Sequence, residues 1–470
     1  MRSEVRDWAH ETFGEAELGD RRRVDRLINI AQRAAKTPHG RISQVFRDTK
    51  EREGAYDFVE NSGVDVKELM AGVALSSARQ ASVHEFVFAP VDGSSLKLWD
   101  GTGRKDFGRI GTHAANATGL KVMNALLLSP DGVPIGLGAQ SWWTRPLKRQ
   151  KYPRMEKREI SEKETQYWFD CFQQMTEART RCASNTRLWF QLDRGADAWT
   201  ILDQLGSTED WFTIRSRCDR RLADGQSFMR KTLQKLPVSS QYQIEVPART
   251  GHKDHSDRKS RIACISVRAK EIHLRLHDKR RKKVKLHKVN ALLVRESRTT
   301  PRSEPPIQWI LLTNHPIETE QQLAQVIKGY TYRWRIEDFH KAWKSGVCNV
   351  EETQLHKSAS VIRWATILAA VAVQAEQLKL LSRSVPDAPA TEVLSEDEIG
   401  TLRLLRRKYG PRSEVQPQLL TAALVTRWIA DLGGYTGKSS GGPPGSITIQ
   451  RGLHYLLIAT EARTLGPPNK

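Results

Sequence analysis

The chain has 470 residues, 39% apolar and 27% charged, a length that suits two to four domains with their own cores and excludes a short peptide or a low-complexity tail. Lys and Arg number 75 against 54 Asp and Glu, and the net charge of +21 points to a polyanionic partner, because each neutralised phosphate releases condensed counterions. No membrane partner is expected: MRSEVRDWAH is charged from its second residue with no apolar leader core, and the apolar run at 364–373 is about half of what a spanning helix needs. The five cysteines (171, 182, 218, 264 and 348) are odd in number, widely spaced and never in a C-x-x-C pair. This argues against a zinc ribbon or a disulfide framework, suits the reducing cytoplasm, and leaves carboxylates as the expected ligands of any metal.

In chain order, residues 1–75 read as helical and basic. Asp20 is placed to cap a helix in which Val24, Leu27, Ile28 and Ala31 repeat at helical spacing, with Arg21, Arg22, Arg23, Arg26 and Arg33 around the rest. Those arginines form either a solvated face or one that meets DNA phosphates, and the charge of the whole chain favours DNA. From 84 the period shortens to that of strands. HEFVFAPVD ends in Asp-Gly, and VMNALLLSPDGVPIGLGAQSWW reads as two strands joined by a Pro-Asp-Gly turn. Residues 155–182 are expected to be helical, and RLWFQLDRGADAWTILDQL to run strand, turn, helix. Between 205 and 315 short β-type runs alternate with basic connections, including KRRKKVK at 279–285, a candidate backbone clamp at a hairpin tip. Helical character returns near 319 and continues through VIRWATILAAVAVQAEQLKLL. The stretch 398–470 is helical and broken by GGYTGKSSGGPPGS.

Three acids stand out, each with an ordinary explanation beside the chemical one. Asp92-Gly93 after a strand is a hairpin-turn signal. Asp193 before RGADAWTILDQL suits an N-cap or an Asx-turn. Glu337 has arginine neighbours to pair with on its own helix. On a continuous helix, Tyr330, Arg333, Glu337 and Lys344 fall within an arc about 60° wide, while Ile336, Phe339 and Trp343 cluster about 120° away as a face to bury. A row of Tyr, Arg and Lys beside one Glu suits a phosphate-rich ligand running past a carboxylate, Arg offering a planar fork and Lys a point charge.

The pattern Y-x-x-R-x-x-x-E-x-x-x-x-x-x-K, carried by Tyr330, Arg333, Glu337 and Lys344 within YRWRIEDFHKAWKSG, resembles the signature of the insertion-sequence-four family of bacterial transposases. Further blocks agree in order: DWAHETFGEAELGDRRR, EREGAYDF, VDGSSL, WWTRP, LDRGAD and IQWILLT, with ADLGGYTG matching more loosely. The resemblance implies a DDE triad of Asp92, Asp193 and Glu337 that holds two Mg²⁺ ions, with Mn²⁺ able to substitute. It implies an α/β, RNase H-like mixed-sheet core interrupted by an antiparallel β insertion. Tyr330, Arg333, Lys344 and Trp309 would contact DNA, Trp309 meeting a flipped base unless it is simply a buried strand residue. On these grounds the expected organisation is a helical DNA-binding domain at 1–75, a catalytic core at 76–204 and 316–378, a β insertion at 205–315, and a helical C-terminal domain at 379–470. The partners implied are double-stranded DNA (terminal repeats and target) and a second copy in a synaptic homodimer. Residues 361–381 are an apolar candidate for the dimer contact, with core packing as the alternative. The expected activity is cut-and-paste transposition through cleavage, hairpin formation and strand transfer, on the bacterial nucleoid in the cytoplasm. A nuclease that cuts without joining, and a non-catalytic transposition inhibitor, are the competing assignments. The stretch LKLWDGTGRKDFGRIGTHAANATG and most of 380–430 depart from the family pattern, so end-sequence specificity and the details of dimerisation do not carry over.

Overall fold

The computed structural model describes residues 5–464 except 102, 112–116, 149–152, 154–157, 247–257, 279–282, 298–299, 302–303, 412–416 and 438–441. It opens with five helices: α1 (Val5–Phe13), α2 (Arg21–Lys36), α3 (Ile42–Val45), α4 (Thr49–Glu60) and α5 (Val66–Ala81). Aspartates start three of them. The Asp20, Asp48 and Asp65 side chains accept from the backbone N–H of Arg22, Glu51 and Lys67, and so satisfy donors that a helix leaves open at its first turn. Val24, Leu27, Ile28 and Ala31 of α2 are buried, as their spacing predicts.

The centre is a ten-stranded sheet. Its strands are β1 (Phe86–Lys97), β2 (Gly108–Ile110), β3 (Ala117–Leu128), β4 (Pro134–Trp143), β5 (Arg187–Leu192), β6 (Trp211–Arg215), β7 (Ser240–Val246), β8 (Arg261–Asp278), β9 (Lys283–Glu296) and β10 (Gln308–Thr313). They lie in the order β2-β3-β1-β5-β6-β10-β9-β8-β7, and β4 also pairs with β3. β1, β5 and β6 are parallel neighbours; the remaining pairs are antiparallel. The β-rich stretch expected at 205–315 therefore continues the central sheet: β6 pairs with β5, and β10 returns between β6 and β9. Of KRRKKVK, residues 279–282 lie outside the described residues, and Lys285 pairs with Asp203.

Helices cover both faces: α6 (Gln166–Cys182), α7 (Trp199–Leu205) and α8 (Met229–Gln234) share one apolar cluster. The other includes residues of α9 (Glu320–Tyr332), α10 (Arg335–Lys344), α11 (Ser358–Ser384) and the N-terminal helices. Strand alternation decides which side chain reaches which cluster. In β1, Val87, Ala89 and Val91 face the α6 side and Phe88 the α9 side; in β5, Leu188, Phe190 and Leu192 face α6 and Trp189 faces α9. The same period of two puts Asp92 and Asp193 on the α9–α10 side. Gly329 lets α9 approach there, since a Cβ at that position would stand 2.4 Å from the Phe88 ring.

α11 is as long and apolar as a membrane-spanning helix, yet 78% of its most apolar window is buried inside the protein. Arg363 donates to the Val59 and Val64 carbonyls and Trp364 to that of Gly40, tying α11 to the N-terminal helices. Val361, Trp364, Ala365, Ile367 and Leu368 have no exposed surface: this part of 361–381 packs into the core, against β4 and the chain's own helices. The C-terminal helices α12 (Glu396–Tyr409), α13 (Ala422–Leu432) and α14 (Ser446–Thr464) pack on α11 around Leu378, Trp428 and Leu456.

Candidate active site

The turn signalled by Asp92-Gly93 does not form. β1 runs through it to Lys97 because Gly93, Ser94 and Ser95 pair with Met123, Val122 and Lys121 of β3. Cross-strand hydrogen bonding prevails over a local turn propensity. Asp92 therefore projects from the middle of a strand. The last parallel pair of β1 and β5 is Val91 with Leu192, which puts Asp92 and Asp193 side by side on strands about 4.8 Å apart. Asp193 does cap a turn, its Oδ1 accepting from Gly195 N–H at 2.7 Å, and Asp92 Oδ1 accepts from Gly93 N–H at the same distance. Each aspartate thus has one oxygen fixed by the backbone.

Glu337 arrives on α10, held by the buried side chains of Ile336, Phe339 and Trp343. Burying each contributes about 1.5–3 kcal/mol, and Phe339 stacks on Trp343 at 5.8 Å and 10°. The helix is not continuous with the segment carrying Tyr330, contrary to the single continuous helix expected from the spacing. Arg333, Trp334 and Ile336 bond three residues back, to Tyr330, Thr331 and Arg333, so the chain tightens between α9 and α10. That adds about 20° of rotation per residue at the junction and leaves Tyr330 on α9 while Glu337 and Lys344 are on α10.

Arg333 sits at this junction and joins two of the acids. Its Nη1 lies 3.3 Å from Asp92 Oδ2 and its Nη2 2.7 Å from Glu337 Oε1, with only 11% of the side chain exposed. Burial opposes the Arg333 charge, but Tyr330, Glu337 and Asp92 outweigh it and hold its pKa above the usual value. Asp92 shows the opposite balance. Burial and the neighbouring Asp193 carboxylate, with Glu337 adding to them, push it up to about 6 against the pull of Arg333.

Lys344 stands apart from the trio, 3.7 Å from Glu351, whose Oε1 also accepts from Lys97 N–H at the end of β1. Trp309 is half-buried on β10 and meets the Tyr330 ring edge-on at 5.1 Å and 64°. Both line a cleft of about 1120 Å³ together with Arg333, Arg215, Arg335 and Arg383. One arginine in WFTIRSR carries no spacing signal, so Arg215 is not legible in the sequence; the β6–β10 pairing brings it to Trp309. Burial lowers its pKa. On α2, Arg22 and Arg21 extend outward with 91% and 66% of their side chains exposed, each beside one aspartate. Arg26 lies over Gly54, and Arg23 donates to the Leu18 and Gly63 carbonyls.

Among the described residues, no three His, Cys, Asp or Glu side chains are arranged to hold a metal ion. The donor chemistry nevertheless fits a hard divalent cation. Asp193 lies beside Asp92, Arg333 bridges Asp92 and Glu337, and burial together with the neighbouring carboxylates disfavours ionisation of Asp92, so the oxygen donors are of the type such an ion takes. Residues 5–64, spanning α1 to α4, match the transposase DNA-binding family. That match supports a transposase with DNA as its partner and an N-terminal DNA-binding domain.

Proposed function

We propose that the chain is a DDE transposase of the insertion-sequence-four family, similar to that of transposon Tn-five, catalysing cut-and-paste transposition at the ends of its element. The observation that carries this proposal is the convergence of Asp92, Asp193 and Glu337 beside an arginine-rich, aromatic cleft in a chain whose N-terminus matches a transposase DNA-binding domain. The strand order β4-β3-β1-β5-β6, antiparallel on one side of β1 and parallel on the other, supports an RNase H-like core with β7–β10 inserted after the second aspartate.

Asp92, Asp193 and Glu337 would hold Mg²⁺, two ions with Mn²⁺ as a substitute, which when bound supply an activated water or 3′-hydroxyl and charge stabilisation for the departing oxygen. The chain's own groups do the rest. Arg333 exchanges its carboxylate partners for the scissile phosphate, moving its charge from the acids to the place where negative charge grows. Arg215 and Arg335 hold the strand in the cleft through phosphate oxygens. Trp309, with the buried Tyr330 packed against it, offers a ring face to a base lifted from the stack, offsetting an unstacking cost of a few kcal/mol. Lys344 positions the backbone beyond Glu337. The outward arginines Arg21 and Arg22, with Arg26 and Arg23 behind them, grip the terminal repeat. Hairpin formation, strand transfer, a synaptic homodimer and action on the nucleoid follow from the family resemblance.

The test is cleavage and joining of labelled duplex carrying the inverted repeats that flank the gene. Wild type should nick, form a hairpin and join a pre-cleaved 3′-hydroxyl end to a target plasmid, all with Mg²⁺. Glu337→Gln and Asp193→Asn should retain binding in EDTA and lose cleavage. Nicking by Glu337→Gln at the wild-type rate overturns the site, cutting without joining makes the chain a nuclease, and binding without Mg²⁺-dependent cutting makes it an inhibitor.

A further inference from the structure

Three polar side chains occupy positions the surrounding sequence would fill with apolar ones. Asn124 interrupts VMNALLL in β3, Gln140 follows Ala139 in β4, and His340 sits between Phe339 and Trp343 on the buried side of α10. They are 0%, 5% and 9% exposed. Together they form a hydrogen-bonded chain. Gln140 Nε2 donates to Asn124 Oδ1 at 2.7 Å, and Asn124 Nδ2 donates to His340 Nε2 at 3.0 Å. With the Asn124 carbonyl accepting from Gln140, the Asn124 NH₂ faces the imidazole; in this arrangement Nε2 accepts and the ring proton is on Nδ1. A neutral ring suits that role, and burial, with Lys344 and Arg333 nearby, brings the His340 pKa down to about 3.

The position of this chain is what gives it meaning. Asn124 is the direct cross-strand partner of Asp92, and Gln140 that of Asn124, so all three lie on one register level across β1, β3 and β4. His340 follows Glu337 by three residues, about one turn on and 60° round the helix. The row that begins with the first acid thus grips α10 one turn from the third. One turn further on and on the same buried face, Trp343 Nε1 donates to the Ala365 carbonyl of α11 at 2.9 Å, so α10 is tied to the sheet at one level and to α11 at the next.

Resting on the DDE assignment, we propose that Gln140, Asn124 and His340 are positioning residues: their hydrogen-bonded row sets the height and rotation of Glu337 relative to Asp92, and with them the affinity of the acid cluster for its divalent metal. An ordinary buried polar network would contribute to stability alone. A network that orients a ligand contributes to metal affinity as well, and loss of such outer partners typically weakens it about tenfold to a hundredfold.

The experiment is a titration of Mn²⁺ into the full chain bound to duplex of the flanking inverted repeat, free ion being read by electron paramagnetic resonance, at a temperature where every variant is folded. His340→Leu and Asn124→Leu should raise the Mn²⁺ midpoint about tenfold or more and leave duplex retention in EDTA unchanged. His340→Gln, whose Oε1 can accept from Asn124, should restore the midpoint to within about threefold of wild type. If the single leucine variants do not fold, the Asn124→Leu/His340→Leu pair, which removes donor and acceptor together, replaces them with the same expected loss. Leucine variants that bind Mn²⁺ like wild type overturn the positioning role, as does a Gln variant as impaired as the Leu one. Glu337→Gln is the control. If it too binds Mn²⁺ like wild type, the acid cluster is not the metal site and the DDE assignment fails with the inference.

Discussion

Asp193 and Asp197 lie four residues apart in LDRGAD and meet opposite environments. Asp197 is held by four donors on one oxygen and an ion pair on the other: its Oδ2 accepts from the N–H groups of Arg217 at 2.6 Å and Cys218 at 3.1 Å, from Ser216 Oγ at 3.1 Å and from Arg220 Nη1 at 2.9 Å, and Arg220 Nη2 lies 2.7 Å from Oδ1. One cation serves one carboxylate, and the loop after β6 is locked to the 3₁₀ turn. Asp193 faces Asp92 across a parallel strand pair, with Glu337 adding a third negative charge and one guanidinium bridging two of the three. The contrast separates a carboxylate that holds the fold from carboxylates that the fold must hold. Excess like charge in a partly buried place is unfavourable in itself, and it persists where a ligand is to be bound.

The largest expected effect sharpens this contrast. Glu337→Gln and Asp193→Asn should cut end cleavage by about a thousandfold or more with the melting temperature unchanged or raised. Asp197→Ala should lower stability by about 3–5 kcal/mol, because Arg220 and two N–H groups lose their acceptor. Denaturant unfolding beside single-turnover cleavage measures both. Equal stability loss in the two groups would erase the distinction.

Next in size is Asp92→Asn. The folded chain holds Asp92 at about 6, above an unfolded value near 3.8. Its ionisation therefore opposes folding, fully above pH 6 and not at all below pH 3.8. In metal-free buffer at pH 8 the Asn variant should be more stable by about 1–3 kcal/mol, and the difference should shrink as pH falls through 6 toward 4. Melting curves across that range check the sign; an Asn variant less stable than wild type at pH 8 breaks the account of Asp92. A smaller effect is expected from Trp309→Ala, which should slow cleavage about tenfold, in line with about 1–3 kcal/mol per stacked base, and recover on duplex with an abasic site at the lifted position. The smallest is Arg22→Ala, which should leave stability untouched and reduce the salt slope of end binding by about one.

Much of the local structure was legible in the sequence. Asp20 caps α2, Ser129–Val133 closes the turn that Pro130-Asp131-Gly132 signals, and Ile336, Phe339 and Trp343 are the buried face of α10. The signature spacing named Arg333 and Glu337, which the structure joins. What escaped depends on distant pairing. The strand through Asp92-Gly93 needs β3, the single sheet needs β6 beside β5, and the cleft position of Arg215 needs β10. The break between α9 and α10 has no glycine or proline to announce it. Nothing in the sequence singles out His340, since its partner Asn124 is 216 positions away.

The most direct test is anomalous diffraction from Mn²⁺-soaked crystals of the chain bound to its pre-cleaved end duplex. Peaks flanked by the carboxylates of Asp92, Asp193 and Glu337, with Arg333 turned to a phosphate, are the predicted result. Density for the duplex in the cleft with Arg333 still bridging Asp92 and Glu337, and Mn²⁺ absent or bound elsewhere, would contradict it.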